Sequence, residues 1–253
     1  MNTLTKSLKG KLSSKESIQE RLEVLKDKYQ GKKAVILAPG PSLNDQDLEN
    51  LYNRDDIVIL AVKQAYDKIR GQSDFHIVNT YNFDKYNGYD YENLDCIIFY
   101  GLSLSYVKEQ SDKLAIKPHP VDMWVPVVNP PTINYEQSIH KAADYNKFRM
   151  LGEETQTWWG TSILYEQAIP MALLLGCTEL ITIGWDLGTG AHSYNDDLVP
   201  FKVNSAEEQK TQDSIDTTPQ LYDWFTKNDI SLKICSSTNP ADERFERIEP
   251  WQI

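Results

Sequence analysis

The chain has little of what would build a disulfide scaffold, a membrane anchor or a nucleic-acid groove. Its three cysteines, Cys96, Cys177 and Cys235, lie far apart at the ends of apolar runs. An odd count without ligand spacing argues against a disulfide framework and a zinc cluster, so buried free thiols are expected. No stretch approaches the ~20 apolar residues of a membrane span. Met1 to Lys11 carries Lys6, Lys9 and Lys11 with no apolar block behind them, which is not the pattern of a secretory signal, and a cytoplasmic location is expected. Positive charge is short as well: 26 Lys and Arg against 37 Asp and Glu give a net charge of −11. That balance repels nucleic acid and anionic membranes. The basic residues from Lys6 to Lys33 are offset by Glu16, Glu20, Glu23 and Asp27. There is no internal repeat, no low-complexity tract and no glycine-rich loop ending in Lys-Ser/Thr. Any phosphate would have to be held mostly by backbone N–H groups and helix N-termini.

What the sequence does have is a series of short apolar runs that stop abruptly in small or polar residues. Ser13 and Glu16 form a capping-box pattern ahead of Ile18, Leu22, Leu25 and Tyr29, which predicts an amphipathic first helix ending at Gly31. Ala34 to Ala38, Ile57 to Val62, Phe75 to Val78, Cys96 to Tyr100, Leu180 to Ile183 and Ser231 to Cys235 read as buried strands. Short helices are expected from Pro41 or Ser42 through Leu51 and around Tyr66 to Ile69, a longer one from Thr161 or Ser162 to Leu175, and another up to Asn228. Pro118, Pro120, Pro126, Pro130 and Pro131 forbid long regular elements between 111 and 134. The polar run 188–216 reads as a lid. The expected fold is α/β, a doubly wound, mostly parallel Rossmann-like sheet over residues 32–253, preceded by a helical extension over 1–31.

In such a sheet the strands' carboxyl ends share one edge, where ligands bind. That edge gathers Gly40, Pro41 and Ser42, Lys63 and Gln64, Asn79, Gly160, Thr161 and Ser162, Asp186, Ser236 and Asn239. The Gly40-Pro41-Ser42 turn would let backbone approach a phosphate. Asn79 has no titrating group but can fix a ribose or sugar hydroxyl. Asp186 could hold a divalent ion or take a proton, and it is equally suited to capping a turn. His192, with Tyr194 beside it in the lid, is the histidine nearest this edge and the candidate titrating group. Lys63 could pair with a phosphate or simply end a strand in water.

The strand followed by Gly-Pro-Ser-Leu at Gly40 to Leu43, with Gly160-Thr161-Ser162, the Ala-rich helix closing on Gly176 and Ile-Gly-Trp-Asp at Ile183 to Asp186, resembles two related groups. These are the 6-hydroxymethylpterin diphosphokinase-like family and the bacterial sialyltransferases of glycosyltransferase family 42. The resemblance spans roughly Lys32 to Asn239. It implies a nucleotide-binding domain in which Gly40 and Ser42 face the nucleotide phosphate or sugar, Asn79 the donor, Thr161 and Ser162 the nucleotide, and Asp186 the ribose or a metal. The chain departs from those transferases at Ala38, Pro39 and Lys63, and it has no histidine between Gln209 and Asp216, so His192 would serve from an earlier position. The activity implied is glycosyl transfer from a nucleotide-activated sugar, a CMP-sugar in those transferases; the candidate catalytic residues in this chain are Asn79, Asp186 and His192, with His192 or a carboxylate such as Asp186 as the base for the acceptor proton. ATP- and magnesium-dependent diphosphokinase action on a hydroxymethyl compound, with Mg near Asp186 and the pair Asp196 and Asp197, and a non-catalytic nucleotide-binding module are the alternatives. The expected partners are a nucleotide-activated small molecule and its acceptor, with a homo-oligomer left open.

Overall fold

The computed structural model describes residues 3–15, 17–79, 95–103, 123–127, 139–149, 164–188, 205–236 and 238–253. Eight strands form one sheet: β1 (Lys33–Leu37), β2 (Ile57–Val62), β3 (Phe75–Asn79), β4 (Ile97–Ser103), β5 (Met123–Val127), β6 (Glu179–Ile183), β7 (Ser231–Cys235) and β8 (Glu246–Arg247). Their order is β5-β4-β3-β2-β1-β6-β7-β8, and every neighbouring pair is parallel. From β1 the chain winds outward through β2 to β5, then returns to the other side of β1 with β6. The order reverses between β1 and β6, which makes their carboxyl ends the topological switch point.

Central strands of such a sheet are covered on both faces and need apolar side chains throughout. Ala34, Val35, Ile36 and Leu37 of β1 are all completely buried. One face packs against α1 (Thr3–Leu12), α2 (Ile18–Leu25), α3 (Ile139–Ala142), α4 (Ile169–Leu174) and α6 (Thr218–Lys227), with Leu8, Leu12, Leu25, Met171, Leu221 and Phe225 in a common core with Ile36 and Phe99. The other face is closed by short 3₁₀ turns, Pro41–Asp45, Glu49–Leu51, Lys63–Lys68 and Pro250–Gln252, through Leu43, Leu51, Tyr66 and Ile253. The expected short helices on that side are therefore 3₁₀ turns, long enough to supply one or two apolar plugs each.

The N-terminus differs from the reading of the sequence. The capping box is Ser17 with Glu20, whose side chains and backbone N–H groups bond reciprocally, four residues beyond the expected Ser13. Ser13 instead returns its hydroxyl to the Gly10 carbonyl at 2.8 Å. The extra helix α1 exists because Leu8 and Leu12, one turn apart, bury completely. Thr5 on the same helix reaches the buried carboxylate of Asp74, which also accepts the Ile59 N–H at 3.0 Å, while the Tyr29 hydroxyl and Thr5 Oγ1 lie 2.7 Å apart.

A second difference concerns the polar run 188–216. Residues 189–204 lie outside the described structure, but Ser205–Asp216 is a helix, α5. Side-chain bonds from Gln209 to Asp213 and from Gln212 to Asp216, each four residues apart, support it. Within the proline-rich middle, β5 is an edge strand. It admits Pro126 because an edge position can spare a ladder donor. The two-residue β8 was not expected from the sequence.

Candidate functional site

The site begins with two loops that meet at the switch point. After β1, the chain runs through Ala38 and Pro39 to Gly40, whose N–H donates to the Gly184 carbonyl at 2.9 Å. Gly40 has an ordinary extended backbone, φ −69 and ψ 157, so its need for glycine is one of space. A Cβ there would stand 2.8 Å from Asp186 Cγ and also press on the Gly184 carbonyl oxygen. Gly184 is required for both reasons: φ is +73, and a Cβ would press on the Ala38 carbonyl and lie 3.0 Å from Leu43 Cβ. The loops interlock at van der Waals distance.

Above that contact sits a carboxylate clasp. Ser42 N–H donates to Asp186 Oδ2 at 2.8 Å, and Ser42 Oγ donates to Asp186 Oδ1. Residues 144 positions apart are thus fixed against each other, both half-buried and open to solvent. The donor that the sequence suggested for a phosphate, the Ser42 N–H, is engaged by Asp186. Leu187, next in the chain, has φ +48, a left-handed conformation costly for a branched side chain, which marks this loop as held in place by its surroundings.

A second layer supports the clasp from β7. Asn239 is buried, donates its side-chain amide to the Trp185 carbonyl and accepts the Ala241 N–H at 2.8 Å. Arg247 then ties the turn, donating to the carbonyls of Phe245 at 2.6 Å, Ala241 at 2.8 Å and Asn239 at 3.3 Å. Ser236 is buried beside this turn, its Oγ 3.5 Å from Thr238 Oγ1. Trp185 packs edge-on against Tyr165, with ring centroids 5.9 Å apart.

On the other side of β1, Lys63 and Gln64 follow β2 at the same edge, both half-buried. Lys63 has φ +51, and its carbonyl accepts from His76 Nε2 at 2.9 Å. His76 is fully buried in β3 and stacked on Tyr66 with centroids 4.5 Å apart. Burial holds its imidazole neutral, pushing the pKa down to about 4. It is a structural tether for the Lys63 turn and has no access to a substrate proton. Asn79 closes β3, with Gly101 of β4 as its register partner.

Sequence reasoning therefore brings Gly40, Pro41, Ser42, Lys63, Gln64, Asn79, Asp186, Ser236 and Asn239 to one edge of the sheet, and the structure places all of these at strand carboxyl ends. Gly160, Thr161, Ser162, His192 and Tyr194 lie outside the described residues. Among the described residues no three His, Cys, Asp or Glu side chains converge as a metal cluster. Sequence reading missed His76, Arg247 and Gln167. The signal for two of them was present: a histidine inside the apolar run Phe75 to Val78, and a glutamine in phase with Leu164, Ala168 and Met171. The thiols of Cys177 and Cys235 are buried and their pKa values are pushed up to about 12, consistent with inert packing groups.

No protein-family model matches the chain, and no curated protein does. Among solved structures, it is similar to the sialyltransferase CST-II in complex with a trisaccharide acceptor and CMP, with 17% identity, 88% of each chain covered and a TM-score of 0.46. It is similar to the MAf glycosyltransferase from Magnetospirillum magneticum AMB-1, with 14% identity over 94% of this chain and 39% of that one and a TM-score of 0.47. It is also similar to an alpha-2,3-sialyltransferase from Campylobacter jejuni in apo form, with 15% identity, 87% and 81% coverage and a TM-score of 0.43. None of these three is a pterin diphosphokinase. At such identities and scores none of them assigns an activity or a ligand to this chain.

Proposed function

We propose that the chain is a glycosyltransferase that takes its sugar from a nucleotide donor, with CMP as the nucleotide and the binding crevice at the β1/β6 switch point. The observation that carries this reading is the Ser42–Asp186 clasp. An ionised carboxylate has about four lone-pair sites, and Ser42 occupies two. The others suit the neighbouring hydroxyls of a ribose, the role an acidic residue plays in other nucleotide-binding α/β sheets. The Gly40-to-Leu43 and Ile183-to-Asp186 motifs, through their resemblance to family 42 transferases, favour CMP.

From that anchor the donor extends along the edge toward Lys63, which meets the phosphate, and Asn79, which meets the sugar. Thr161 and Ser162, with Gly160, complete the nucleotide pocket, and Ser236 and Asn239 hold its floor. The acceptor hydroxyl attacks the anomeric carbon as the bond from that carbon to the phosphate oxygen breaks, and the departing nucleotide keeps the electron pair. His192 takes the acceptor proton, and Tyr194 donates to the leaving phosphate. Buried His76 is unsuited to that proton transfer, since it is neutral and closed off from solvent.

Turnover of a CMP-sugar, followed as CMP release with and without a panel of saccharide acceptors, tests this directly. Asp186→Asn should abolish release with the melting temperature preserved. Full activity in that variant overturns the assigned role. Consumption of ATP with magnesium, and no response to CMP-sugars, would replace glycosyl transfer by diphosphoryl transfer to a hydroxymethyl compound.

A further inference from the structure

Gln167 is a glutamine where packing alone would select methionine or leucine. It lies in a π-helical turn, Leu164–Ala168, just ahead of α4, and its side chain is completely buried. Neither Nε2 nor Oε1 has a hydrogen-bond partner among the described residues. Burying an amide in that state is unfavourable, and the same volume filled by an apolar side chain would avoid it. Single π turns inside α-helices recur at functional sites.

The place of this amide is specific. It lies flat on Gly101 of β4: a Cβ at Gly101 would stand 2.6 Å from Gln167 Nε2 and 2.8 Å from both Cδ and Oε1. Any other residue at position 101 would displace it. Gly101 pairs in register with Asn79, so the amide sits at the carboxyl end of β4 beside the residue that the donor's sugar is proposed to reach. β4 is three strands from β1 in the order β4-β3-β2-β1. The ribose anchor Asp186 follows β6, one strand further on, so at the ~4.8 Å spacing of neighbouring strands it is about 19 Å away. A ligand held by Asp186 at one end and spanning the phosphate over β2 would bring its far end to Gln167.

We infer that Gln167 is a specificity residue for the transferred sugar, its buried carboxamide engaging a hydroxyl, carboxylate or acetamido group of the donor. A carboxamide offers two N–H donors and a carbonyl acceptor, so it can answer any of these groups. The inference rests on the nucleotide-sugar reading above. It adds a division of labour along the edge: the nucleotide is read at β1/β6 and the sugar at β3/β4.

The test compares wild type with Gln167→Met in calorimetric titrations of CMP and CMP-N-acetylneuraminic acid, and in thermal melts without ligand. The variant should melt at or above the wild-type temperature, because the substitution removes a polar group with no partner. Its CMP affinity should stay within about twofold of wild type, while its affinity for the sugar donor falls about tenfold, the equivalent of one good hydrogen bond. An unchanged donor affinity, an equal loss for CMP and donor, or a melting temperature several degrees lower would each overturn the inference. If wild type binds neither compound, nor UDP and UDP-glucose in the same assay, the nucleotide-sugar reading falls and this inference with it. If wild type binds the pair and the variant binds it identically, only the role of Gln167 is lost.

Discussion

Replacing His76 should remove an acid sensitivity that the fold otherwise carries. His76 is fully buried, and its pKa falls from an unperturbed 6.5 to about 4 because burial disfavours the imidazolium. The unfolded chain therefore binds a proton more readily than the folded one between those values. Stability from this group is complete above about pH 7 and is lost as the pH falls through the interval. The full difference is worth about 3 kcal/mol. About 2 kcal/mol of it is lost between about pH 7.5 and pH 5.0, which lowers the melting temperature of a chain this size by about 4–8 °C. His76→Phe keeps a ring to stack on Tyr66 but loses both the titration and the bond to the Lys63 carbonyl. Thermal melts across that pH range should show a clearly flatter profile for the variant. The same slope in both proteins would refute the assignment of a buried neutral imidazole.

Other substitutions test the remaining contacts. Gly40→Ala puts a methyl against the Gly184 carbonyl and Asp186, so it should cost about 1–3 kcal/mol and abolish nucleotide binding; a fully stable variant that still binds would contradict the interlocked loops. Burial raises the Asp74 carboxyl pKa, so that group favours the folded state below its unfolded pKa of 3.8 and loses this contribution as the pH rises through the folded value. Asp74→Asn should consequently melt higher than wild type near pH 8, whereas Asp74→Ala, which leaves the Ile59 N–H without its acceptor, should lose about 1–3 kcal/mol in urea titrations. Asn239→Ala should loosen the loop that carries Asp186 and weaken CMP binding more than it lowers the melting temperature.

The sheet was legible because buried parallel strands declare themselves as short apolar runs. Ile57–Val62 and Ser231–Cys235 match their expected bounds, Glu179–Ile183 begins one residue early, and Lys33–Leu37 is shifted by one residue at both ends from the expected Ala34 to Ala38. The convergence of Ser42 with Asp186 followed from the same logic, since both close strands that flank the reversal of strand order. What escaped were elements decided by tertiary contacts. Helix α1 depends on Leu8 and Leu12 finding a core and on Thr5 finding Asp74, none of which is visible locally. Helix α5 is polar on nearly all sides, and its i to i+4 amide–carboxylate bonds are a weaker signal than an apolar stripe. The occupied lone pairs of Asp186 and the unsatisfied amide of Gln167 are properties of geometry, which residue type alone does not convey.

The central claim is that a nucleotide is held where β1 and β6 diverge. Determining a crystal structure with CMP bound would decide it. The account predicts the ribose hydroxyls within hydrogen-bond distance of Asp186, with Ser42 still clasping that carboxylate. CMP seated elsewhere, for instance in the groove of about 580 Å³ between Glu23, Asp27 and Pro170 at the opposite end of the strands, would contradict it.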